Sequence, residues 1–243
     1  MRIVVFCLLL FASFPVLLGQ NLRDYNDRMY QAYVNNEFPL WKEIIAEMDQ
    51  EYEISNDKAL LYDLCFAWYG YIGYLLNEED NKAAKKELKK AENRAEELEA
   101  LYSGRHDVLA LRGAFVGYRI VISKFSALYL SRRALKYIHT AYESADTYFN
   151  CNIEMGSRYY YVPRFLGGSK QKAIPYYEKA VELLESSSLK TERSWLYING
   201  VLMLANAYKE TDRLDLACPL WKELLEYEPE AQWIRENMYS KCK

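Results

Sequence analysis

Histidine is nearly missing from this chain. Only His106 and His139 occur in 243 residues, far apart and with no His-Glu-x-x-His between them. The commonest general base and metal ligand therefore has no second member to work with. Gly-x-Ser-x-Gly, a phosphate loop and a dinucleotide fingerprint are also absent, which removes the usual signatures of hydrolases and nucleotide enzymes. Gly167-Gly168 alone reads as a turn and not as a phosphate cradle. The acidic pairs Glu78-Glu79 and Glu96-Glu97 have no partner base nearby in sequence. The chain is expected to be no enzyme and to need neither cofactor nor metal. Ten glycines and six prolines are too few for a many-turned β-sandwich, and they favour long helices joined by short loops.

Positive charge is not in excess either. The formal net charge is −3, and no nucleic-acid partner is expected from such a balance. Long apolar runs occur only at the start. Arg2 precedes an almost unbroken apolar stretch from Ile3 to Leu18, 16 residues long, short of the roughly 20 that span a bilayer. Leu17 and Gly19 then stand before Gln20 in the pattern of a cleaved secretory leader over residues 1–19. An uncleaved anchor is the alternative. The expected location is periplasmic or extracellular. Cleavage leaves 30 basic against 34 acidic residues and no later segment expected to cross a membrane.

Four cysteines follow the leader, with no Cys-x-x-Cys and no zinc spacing among them. Export permits disulfides. Cys218 with Cys242 is the candidate pair, since a terminal segment folding back could bring them together. Free thiols are the other possibility.

What the chain has in quantity is apolar residues (51%) and tyrosine (23 residues), arranged at helical spacing. Trp41, Ile44, Ile45 and Met48 share one face, as do Ala84, Leu88, Ala91, Ala95, Leu98 and Leu101. The helix from Asp57 to Leu76 is apolar nearly all round and should be covered on several sides. Lysines from Lys82 to Lys90 interleave with glutamates on a solvated face. Read in pairs, the helices form about five hairpins, with a short one after Pro229 as a cap. Ser131 is expected to start the second helix of the third pair, after an apolar loop from Lys124 to Leu130.

The second helices share a small–large–small pattern at offsets zero, four and seven. It runs Ala84-Leu88-Ala91, Ala134-Ile138-Ala141, Ala173-Tyr177-Ala180 and Ala217-Trp221-Leu224. Small residues let two helices approach, and the large one fills the gap to the next hairpin. This pattern resembles the tetratricopeptide repeat, best in the unit carrying Leu204, Ala205, Tyr208, Ala217, Trp221 and Pro229. The intervals between equivalent alanines, 50, 39 and 44 residues, are longer than the family's 34. The run from Tyr159 to Ala180, with Pro163-Arg164-Phe165-Leu166-Gly167-Gly168, further resembles a turn of bacterial envelope tetratricopeptide proteins. Those include the periplasmic T-component of TRAP-type transporters.

The resemblance implies an all-α fold, a right-handed α–α superhelix whose first helices line a concave groove for a protein or peptide. The groove positions it implies are Phe66, Tyr69, Arg119, Arg158, Asn199, Leu202, Asn206 and Lys209. Arginine and asparagine there suit peptide backbone or carboxylates; alternatively, Arg119 and Arg158 pair with acids of adjacent repeats. The narrower resemblance implies a small apolar ligand held among tyrosines near Tyr69 and Tyr160, in an accessory of a transport system.

Overall fold

The computed structural model describes residues 14–123, 125 and 127–242, with side chains from 22 onward except 127 and 128. Most of the leader expected over residues 1–19 thus lies outside the described residues.

The helices are α1 (Phe14–Val34), α2 (Phe38–Ser55), α3 (Lys58–Asn77), α4 (Asn81–Leu101), α5 (His106–Ile122) and α6 (Ala127–Ser144). They continue as α7 (Phe149–Tyr161), α8 (Lys170–Glu185), α9 (Ser188–Thr191), α10 (Trp195–Lys209), α11 (Leu214–Tyr227) and α12 (Gln232–Asn237). No strand occurs among the described residues. The start signals lie in the sequence: Asp57, Asp80, Ser169 and Ser194 each accept a backbone N–H of the following first turn, supplying a partner that the helix itself cannot.

Neighbouring helices pair as antiparallel hairpins, α1 with α2, α3 with α4, α5 with α6, α7 with α8 and α10 with α11, stacked side by side in a right-handed superhelix. All twelve residues of the small–large–small pattern are buried. Helix α3 sits centrally against α2, α4 and α5. By length and composition (mean hydropathy 1.2) it could cross a membrane, which corrects the expectation that no later segment is apolar enough to do so. Its apolar residues Leu61, Leu64, Ile72 and Trp68 are buried within the stack, as in a core helix.

Among the boundaries that differ from the sequence reading are those of α6 and α7. Helix α6 begins at Ala127, before Ser131, because Leu130 packs on Val116 and Ala134 and draws the segment into the hairpin. Helix α7 begins at Phe149, where the residue pattern suggests a start at Asn152, and so brings Asn150 into its first turn. Between α7 and α8, the backbone makes one 3₁₀ turn over Arg164–Leu166, and Gly167 takes φ +92°. A Cβ on Gly168 would stand 1.6 Å from the Val162 carbonyl oxygen, so only glycine fits there.

The stack does not stay open. Its first hairpin meets its last: Tyr30 donates to Glu228 at 2.7 Å, and the Trp233 indole N–H to the Val34 carbonyl at 3.1 Å. Tyr33 lies between Trp195 and Trp233, with ring centroids 5.9 Å from each, and Trp41 sits edge-on to Trp195 at 4.9 Å. A Cβ on Gly70 would come within 2.3 Å of Trp41 and 2.8 Å of Trp195. Cys218 and Cys242 form a disulfide, Cα–Cα 5.7 Å, that ties the tail to α11.

Candidate functional site

Closure turns the concave face into an interior. The first helices α3, α5, α7 and α10 converge on a cavity of about 20 Å³, room for a single water. Phe66, Leu111, Phe149, Ile153 and Leu196 give it apolar walls, and Tyr69, Asn150, Glu154 and Asn199 also line it.

Asn150 and Glu154 are one turn apart on α7 and so share a face. The Tyr69 hydroxyl donates to the Glu154 carboxylate at 2.9 Å. Tyr69 is fixed in turn by Tyr118, whose ring stacks on it at 5.7 Å and whose hydroxyl donates to the Tyr69 carbonyl at 3.1 Å. The Asn150 amide donates to the Asp107 carbonyl at 2.8 Å, while its own Oδ1 is buried with no protein partner. Burial pushes the Glu154 carboxyl up to about 7, partly opposed by the Tyr69 hydrogen bond, because an ionised carboxylate loses its hydration there. The site can therefore accept hydrogen bonds and can hold or release one proton near neutral pH. No cluster of potential metal ligands occurs among the described residues. Cys65 and Cys151 are buried free thiols, and burial pushes Cys151 up to about 12, far from a reactive thiolate.

Of the groove positions implied by the repeat register, Phe66, Tyr69 and Asn199 line this cavity. Asn199 also accepts from the Tyr33 hydroxyl at 3.3 Å. Leu202 is buried in the core. Asn206 and Lys209 are half-buried further along α10. The Lys209 ammonium is held below the usual lysine range by burial and by Lys241 and Lys170. Arg158 is half-buried one turn beyond Glu154, its guanidinium 4.4 Å from the Tyr159 ring centroid, and it has no ion pair among the described residues. Arg119 lies outside this group: it is exposed and pairs with Glu92 of the adjacent hairpin. Sequence reasoning missed Asn150 and Glu154. The signal that could have found them is their four-residue spacing on a helix that starts at Phe149.

A second, wider groove of about 600 Å³ lies on the outer side, between α2 and α4 over α3. Charges of both signs line it, Lys42, Glu43, Asp49, Lys86 and Lys90 among them.

This architecture defines a tetratricopeptide-like helical solenoid. It is similar to the HusA haemophore from Porphyromonas gingivalis, with a TM-score of 0.58 and 16% identity over 75% of this chain and 94% of that one. It is also similar to a thermophilic TPR protein of Thermus thermophilus, with a TM-score of 0.55 and 16% identity over 88% of this chain and 98% of that one. No family model and no curated protein matches the sequence. At such identity the likeness concerns the fold.

Proposed function

We propose that the chain is an exported, non-catalytic binding protein that encloses a small, largely apolar molecule between its first helices. The observation that carries this reading is the cavity, where apolar walls from four helices meet Asn150 and Glu154, and where the buried Oδ1 of Asn150 is satisfied by no protein group. A buried polar atom left without a partner is costly and calls for a water or a ligand. A ligand larger than water enters when α10 moves away from α7. Helix α10 packs on α8 and α11 and only weakly on α7, so the α7–α10 seam is the place to part. The haemophore of like fold supports a small ligand, and the Pro163–Gly168 turn supports a setting beside a transport system.

Two probes test this: haemin, and 1-aminoanthracene, an apolar ring carrying an N–H donor. One saturable site per chain is expected for at least one of them. Leu196→Trp, which fills the cavity, should abolish that binding with helical content unchanged. Failure of both probes to saturate, or undiminished binding by the filled variant, would sink the reading.

A second reading, a protein or peptide on the inner face, is supported by Arg158, which carries no ion pair among the described residues. Arg158→Glu should then lower capture of that partner and leave probe binding intact.

A further inference from the structure

Charge in this chain is separated along the stack. No acidic residue lies between Asp107 and Glu143, while Arg112, Arg119, Lys124, Arg132, Arg133 and Lys136 fall there. Between Glu154 and Glu178 there is again none, but Arg158, Arg164, Lys170 and Lys172 occur. In a chain of net charge −3, the third hairpin and the turn end of the fourth are thus basic, while glutamates further along α8 offset the rest of the fourth.

The same hairpins expose most of the large apolar side chains that are exposed among the described residues, Ile54 of α2 apart. Phe125 is 95% exposed, Phe165 86%, Tyr129 69%, Tyr161 67% and Leu166 62%. They are neighbours in space by topology. Helices α5 and α7 both precede a hairpin turn, pack on one another and run the same way, so their turns lie at one end of the stack. Phe125 lies in the first of these turns, with Tyr129 in the opening turn of α6; Phe165 and Leu166 lie in the second, with Tyr161 at the end of α7. Arg132, Arg164 and Lys172 are exposed in the same region and form no ion pair among the described residues.

Shape decides between the partners that such chemistry suits. A small ligand is held by walls, whereas Phe125, Phe165 and Leu166 are exposed at turn ends. Projecting aromatic and aliphatic residues beside basic ones match the boundary between headgroups and acyl chains, where the rings enter and the cations meet phosphate. We propose that the turn ends of the third and fourth hairpins dock on a membrane surface bearing anionic lipid. Phe125, Tyr129, Phe165 and Leu166 enter the interface, while Arg132, Arg164 and Lys172 face the headgroups. The turn between α7 and α8 is built for this: its 3₁₀ turn and two glycines hold Phe165 and Leu166 away from the core.

Vesicle co-sedimentation tests this with the full chain, using phosphatidylcholine vesicles with and without phosphatidylglycerol. Phe125→Ser with Phe165→Ser should weaken binding to phosphatidylglycerol-containing vesicles at least about tenfold, since two ring insertions are lost. Arg164→Glu with Lys172→Glu should weaken it as well, with little change on pure phosphatidylcholine. All of these proteins carry the same N-terminal apolar stretch, so differences between them report the turns. Circular dichroism and probe binding in the central cavity should match wild type in both variants. Wild-type binding by the serine pair, or an equal effect of the charge reversal on both vesicle types, overturns the proposal. A dimer that disappears in the serine pair would assign the surface to a second copy and overturn it too.

Discussion

Glu154 is a buried carboxyl held well above the usual carboxylate range. Its carboxyl titrates at about 7 when folded, against 4.5 in its ordinary state, and burial is the leading cause. Below pH 4.5 it is protonated in both states and costs nothing. As pH rises toward 7, the unfolded chain ionises first and stability falls, and above about 7 the full cost is present. Glu154→Gln should therefore be close to neutral near about pH 4 and more stable than wild type by up to about 3 kcal/mol near about pH 8. Thermal melts of both proteins at the two pH values check this, and a gap that does not widen with pH contradicts it. Glu228 is the contrasting case. Burial alone would raise its carboxyl, but hydrogen bonds from Tyr30 and Arg193 hold it below the usual range. One buried acid is left costly beside a cavity; the other is satisfied in a joint.

Among the elements, those with a strong period and a polar cap were readable from the residues alone. Helix α4 shows both, with its face from Ala84 to Leu98 and its cap at Asp80. Where the signal was tertiary, the reading slipped. Ser131 looks like a cap, but Leu130 packs into the hairpin and carries the helix back to Ala127. Phe149 and Asn150 start α7 without a side-chain cap, so the two polar residues at the cavity were not seen as one face. The final elements are held by the Cys218–Cys242 bridge, whose sequence separation is 24 residues. Cys242→Ser should cost about 3 kcal/mol by removing that restriction on the unfolded chain. Urea unfolding would report it as a lower midpoint, and an unchanged midpoint would show the tail to be held by packing alone.

Over the whole molecule, closure of the stack governs access to its interior. The joint combines Tyr33, Trp41, Trp195 and Trp233 with the Tyr30–Glu228 hydrogen bond. Trp195→Ala should cost about 3–5 kcal/mol through the void it leaves. It should also part the first hairpin from the last, seen as faster hydrogen exchange in α1 and α10 than in α5. Uniform exchange across all hairpins would argue that the stack unfolds as one unit and that the joint has no separate opening.

The sequence by itself determined the helices, their pairing and the stacking of hairpins. Each hairpin has an apolar face that only a like neighbour can cover, and that requirement is written at short range. Through the resemblance to the repeat family it also put Phe66, Tyr69 and Asn199 among the groove positions. Only the tertiary structure decided that the superhelix closes within its own length. The contacts that close it join residues such as Tyr30 and Glu228, 198 positions apart, and no periodicity records such a pairing. Whether a concave face becomes an open groove or a sealed interior depends on small rotations between successive hairpins, summed along the stack. A local pattern does not carry that sum.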